Sequence, residues 1–147
     1  MSKGFEASAH IARSPAEVWA WLTDWPRMPD WMMGIDHMEL DGDGPVGAGT
    51  RLRFRARGAE RTSEIVAWSP PHRLVLRARQ GGMSAVYAYD CTPEAGGTRL
   101  TLRASCEARG LGWRLAAPLI GYLMERVDSK QPMALKYLVE DAPADHP

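Results

Sequence analysis

The chain has 147 residues, 45% hydrophobic and 24% charged, with 18 basic residues against 18 acidic ones. That size suits one domain, expected over residues 1–140 with a polar tail at 141–147, and it supports a core without disulfides or metals. A formal net charge of zero removes the global electrostatic argument for nucleic acid or an anionic membrane as partner.

Phe5, Ala7, Ala9 and Ile11 alternate with Glu6, Ser8 and His10, the period-two signature of a half-buried strand. Ser14-Pro15 ends it. Ser14 is placed to cap a helix, Pro15 suits its first position, and Glu17 completes a capping box. That helix carries Val18, Trp19, Trp21 and Leu22. A second short helix is expected between Trp25 and Gly34, where Pro26 and Pro29 forbid a long one. Ile35 to Leu40 reads as a strand, closed by the turn-rich run Asp41 to Pro45.

From Thr50 the pattern is repeated strands. Thr50, Leu52, Phe54 and Ala56 alternate with Arg51, Arg53, Arg55 and Arg57, and Gly58-Ala59 marks a turn. Thr62 to Trp68 returns, with Thr62, Glu64 and Val66 expected on the inner face. Leu74, Leu76 and Ala78 form the next inner row, then Met83, Ala85, Tyr87, Tyr89 and Cys91, then Leu100, Leu102, Ala104 and Cys106. Strands in sequence joined by short turns make an antiparallel meander. Beyond Leu111 the period changes to that of a helix, continuing to Val139. Its apolar residues form two neighbouring stripes, one of them Leu115, Leu119, Tyr122, Met133 and Tyr137. Pro118 and Pro132 predict kinks or a break.

A strand, two short helices, six strands and a long helix define an α+β fold, a curved antiparallel sheet wrapped around the C-terminal helix. Several motifs carry a further resemblance. Ser14-Pro15-Ala16-Glu17-Val18-Trp19, Leu22-Thr23-Asp24 and Trp25-Pro26 through Trp31 resemble the opening of START-like, SRPBCC-superfamily proteins. Val46 to Thr50, Ser69 to Leu74 and Gly97 to Leu102 resemble three later hallmarks, in the same order. The chain looks most similar to the polyketide cyclase/dehydrase and lipid-transport branch. That resemblance implies a helix-grip fold with an internal cavity and leaves the reaction open, because the superfamily spans carriers, sensors and enzymes.

Candidate ligand contacts are Trp21, Trp25, Met28, Trp31 and Met32, whose indoles and thioethers make an adaptable apolar wall. The same residues would serve equally as core. As a cluster they read as the rim of a pocket and its gate, Trp25–Met33. Phe54, Tyr87, Tyr89, Leu119 and Tyr122 join them from the sheet and the long helix. Glu64, Arg126 and Tyr87 are the catalytic candidates: a carboxylate, an arginine and a phenol in an apolar cavity could perform acid/base work on an enolisable ketone. The alternative is that Glu64 faces water and Arg126 snorkels outward. The arginines Arg51, Arg53, Arg55, Arg57, Arg61, Arg73, Arg77 and Arg79 read as a solvated sheet face without aromatic residues for base stacking.

No metal is expected, because His10, His37, His72 and His146 lack ligand spacing. Cys91 and Cys106 read as small buried hydrophobes too far apart to bridge. Gly42, Gly44, Gly47 and Gly49 do not lead into a helix, so no nucleotide cofactor is expected. The N-terminus lacks an apolar signal core and no stretch is long enough to span a bilayer, so a cytoplasmic location without integral membrane contact is expected. Nothing in the sequence sets an oligomeric state. The readings are a binder or carrier of a hydrophobic small molecule (a lipid, polyketide or aromatic metabolite), a cyclase-type enzyme, or a partner-binding assembly module, which would show an exposed apolar patch.

Overall fold

The computed structural model describes residues 2–142; His146 and all but the first two residues of the expected tail lie outside them. Strand β1 spans Ser2–Ile11, helix α1 Pro15–Leu22, and a 3-10 helix Trp25–Asp30. Strands β2 to β7 follow at Ile35–Leu40, Arg51–Ala56, Ala59–Ser69, Arg73–Gln80, Met83–Glu94 and Gly97–Ala108. Helices α2 (Leu111–Asp128) and α3 (Gln131–Asp141) complete the chain. The strands form one seven-stranded sheet in the order β1-β7-β6-β5-β4-β3-β2, antiparallel at every pairing. This is the helix-grip α+β architecture expected from the sequence.

Local chemistry explains the boundaries. The Ser14 hydroxyl accepts the Glu17 N–H at 3.2 Å, and Pro15 begins α1, as the capping pattern required. Arg57 and Gly58 both have positive φ, 52° and 75°, so β3 and β4 are joined by a two-residue turn one position earlier than Gly58-Ala59. Such a turn matches strand twist, and Gly58 adopts it without a Cβ penalty. The long C-terminal helix is two helices. Pro132 sits in the first turn of α3, where its missing N–H costs nothing, and the chain bends across Ser129 and Lys130. Pro118 stays inside α2, leaving the Arg114 carbonyl without its usual i+4 donor.

The expected facing of β4 is corrected. Ser63 pairs with Leu52 and Ile65 with Leu76, so Ser63 and Ile65 lie on the inner face and both are buried. Glu64 pairs with Arg77 on the outer face. The register shifts between Ile65 and Ala67, so Val66 is an extra residue that changes the parity of the strand. Trp68 therefore faces inward, but strict alternation backward from it puts Glu64 on the wrong side. By the same register, Arg61 opposes Phe54 and belongs to the inner face, not to the outer arginine row.

The main core joins Ile11, Val18, Leu22, Leu52, Ile65, Leu74, Leu100 and Leu102 to α1, the 3-10 helix and α3. A smaller cluster of Met83, Cys106, Ala108 and Ala117 anchors α2. A Cβ on Gly82 would lie 2.3 Å from the Arg109 carbonyl oxygen and 2.4 Å from Trp113, so only glycine lets α2 begin so close to the β5–β6 turn.

Candidate functional site

The concave face of the sheet carries a chain of polar groups where β6 meets the α2–α3 junction. The Tyr87 hydroxyl donates to Asp128 Oδ2 at 2.5 Å, and the Tyr89 hydroxyl donates to Gln131 Oε1 at 2.6 Å. Gln131 Nε2 closes the chain by donating to Asp128 Oδ1 at 3.3 Å. Period two puts both tyrosines on one face, and the helix break brings Asp128 and Gln131 over them. Burial pushes both phenols well above the ordinary tyrosine range, and the Asp128 charge adds to the effect, so they remain protonated donors. Burial also raises the Asp128 carboxyl, an effect opposed by the hydrogen bonds from Tyr87 and Gln131 and by the Arg57 charge.

Two buried polar atoms stand near this chain or on the same face. The Trp31 indole packs edge-on against Tyr89, with centroids 5.8 Å apart. Trp31 Nε1 and the Ser63 hydroxyl have no hydrogen-bond partner among the described residues. An unpaired buried donor is costly, so such atoms mark places where water or a ligand group would be stabilised.

The sequence-predicted residues divide sharply. Trp21, Trp25, Met28, Trp31 and Met32 are all buried in the main core, and Phe54 packs against it. This segment is packed wall rather than open rim, with Met33 its one exposed large hydrophobic residue. Trp25 and Trp19 lie 6.2 and 5.1 Å from the Trp68 ring, and Arg27 stacks 5.0 Å over Trp21. Tyr87 and Tyr89 face inward as expected. Leu119, Tyr122 and Arg126 do not: all three are exposed on the outer side of α2, where Arg126 Nη1 lies 3.4 Å from the Tyr122 hydroxyl. Glu64 bonds Arg77 at 2.9 Å on the convex face. The expected trio of Glu64, Arg126 and Tyr87 is therefore not assembled. Sequence reasoning missed Asp128 and Gln131, although both fall where Pro132 announces a helix break. Two concavities, of about 290 and 420 Å³, lie elsewhere, against the β2–β3 loop and on the convex face beside Arg79 and Arg109. Cys91 and Cys106 are both buried free thiols, and burial raises Cys91 to about 12.

The description "polyketide cyclase / dehydrase and lipid transport" fits residues 3–136. The chain belongs to this family. Among solved structures it resembles the Zhui aromatase/cyclase from Streptomyces sp. R1128, at 16% identity and a TM-score of 0.78 over 95% of this chain and 94% of that one. It also resembles Ara h 8.0201, at 14% identity and a TM-score of 0.73 over 97% and 100%. A third likeness is to TTHA0849 from Thermus thermophilus, at 21% identity and 0.72 over 92% and 96%. At such identities the likeness is one of fold. No curated protein matches the sequence.

Proposed function

We propose that the protein binds a hydrophobic small molecule between the concave sheet face and the C-terminal helices. The observation that carries this reading is the pair of unpartnered buried donors, Trp31 Nε1 and Ser63 Oγ, on the inner side of the sheet. A ligand oxygen reaching either would satisfy a group the fold leaves unpaired. The Tyr87–Asp128–Gln131–Tyr89 chain offers further polar contacts at the helix junction. Helix α2 has Ala117 as its one fully buried residue and covers the small cluster of Met83, Cys106 and Ala108, so lifting it leaves most of the main core in place and makes it the natural route of entry. In this reading the door is α2 rather than Trp25–Met33. The family description and the fold shared with an aromatase/cyclase agree with a lipid or polyketide as ligand.

A second reading, an aldol-type cyclase, draws on Asp128. A half-buried carboxyl with a raised pKa beside a phenol suits acid/base exchange with an enolisable ketone. Native mass spectrometry of protein purified from its own host tests both. The binding reading expects a retained apolar ligand; protein free of ligand that also fails to take up added lipids or polyketones overturns it. Loss of water from an added linear polyketone would favour the enzyme.

A further inference from the structure

Leu111, Leu115, Leu119, Tyr122 and Leu123 of α2 are 75, 75, 62, 58 and 44% exposed. The spacing 111, 115, 119, 122 sets four of them on one side of the helix, facing away from the sheet. Single exposed leucines need no explanation, but a continuous apolar stripe along a helix does. Its flanks are basic. Arg114, Arg126 and Lys130 are exposed beside it, with Glu125 as the neighbouring exposed acid. None of the three cations forms an ion pair among the described residues; on the sheet Arg53, Arg55, Arg73, Arg77, Arg99 and Arg103 are paired, while Arg51, Arg61 and Arg79 are not.

We propose that α2 is a peripheral docking helix that seats its apolar face in an anionic lipid bilayer. At 18 residues it is about 27 Å long, and it lies along the protein surface with an apolar stripe and unneutralised cations. Those are the features of a helix held in the plane of a membrane interface. No described helix is long and apolar enough to cross a membrane, so the contact is with one leaflet. Charge decides between a bilayer and a second copy of the chain. Pairing α2 with itself sets cation against cation with little acid to offset them, whereas anionic headgroups neutralise each one. The zero net charge of the whole chain conceals this local imbalance. Docking does not require the internal ligand, so it stands or falls separately from the binding proposal.

Flotation of the full chain with phosphatidylcholine vesicles, and with vesicles containing phosphatidylglycerol, tests the assignment. Recovery with the anionic vesicles, weakening as salt rises, is expected. The double variant Leu115→Glu/Leu119→Glu should lose about tenfold or more in vesicle affinity, because each leucine's apolar transfer is replaced by a charge. Its urea midpoint should not fall, since both positions are exposed. Arg114→Gln/Arg126→Gln should weaken binding to anionic vesicles alone. Failure to float with anionic vesicles overturns the proposal, as does undiminished binding by the leucine variant. So does a wild-type dimer in light scattering that the same variant dissociates, which would give the face to a second copy.

Discussion

Helices α2 and α3 come from one stretch of helical periodicity, yet they stand in opposite relation to the sheet. Helix α3 buries Gln131, Pro132, Leu135 and Val139, whereas α2 buries Ala117, packs Ile120 and Met124 partly inward, and turns Leu111, Leu115, Leu119, Tyr122 and Leu123 outward. Small residues such as Ala117 let α2 approach the sheet edge, but they remove little apolar area from water. The apolar stripe of a helix reports that a covered face exists, not that its own fold covers it. Helix α3 is held by the core, and α2 leaves an apolar face uncovered.

The comparison is broken most directly by truncating one leucine in each helix. Leu135→Ala should cost about 2–5 kcal/mol, because Leu135 is fully buried and a cavity would remain. Leu115→Ala should change stability by no more than about 0.5 kcal/mol. Urea unfolding of the two variants reads the difference, and equal losses would mean that α2 is packed as firmly as α3.

The junction between the helices gives the next largest effect. The folded-state pKa of Asp128 is raised, so the unfolded chain releases this proton first as pH rises. Its contribution to stability is therefore lost as pH climbs from the ordinary aspartate value through the raised one. Asp128→Asn removes that loss. Relative to wild type, the variant should gain stability across this window, measured as urea midpoints at a series of pH values. A difference that does not move with pH would mean that the carboxyl is not held in a dehydrated site.

The smallest effect sharpens the contrast between the sheet faces. Glu64→Gln should alter stability by about 1 kcal/mol or less, since the Glu64–Arg77 pair is partly exposed and screened. Retention of the proposed ligand should be unchanged. A variant that loses ligand would return Glu64 to the concave side and contradict the bulge at Val66.

Much of this was legible in the sequence. Alternation placed Leu52, Leu74, Tyr87, Tyr89, Leu100 and Leu102 correctly inside, and Ser14-Pro15 set the start of α1. These are local signals, fixed by the two-residue pleat and by capping chemistry. Glu64 was misplaced because a one-residue bulge leaves no mark in an alternating pattern until the pairing partner is known. Arg61 followed the same error. Leu119, Tyr122 and Arg126 were misplaced because periodicity fixes which residues share a stripe but not the rotation of that stripe about the helix axis. Asp128 and Gln131 could have been suspected from their position beside Pro132, but their partners lie about forty residues away on β6.

The sequence by itself determined the α+β order, the meander and the capped first helix, which follow from backbone sterics and side-chain period; it marked Pro118 and Pro132 alike for a kink or break, and only the second carries the break. Only the tertiary structure decided which carboxylate enters the concave face and which apolar stripe is left uncovered. Both depend on register and on helix rotation, and these are set by the packing of the whole chain: Val66 shifts one strand by one residue, and Ala117 rather than Leu119 turns α2 toward the sheet.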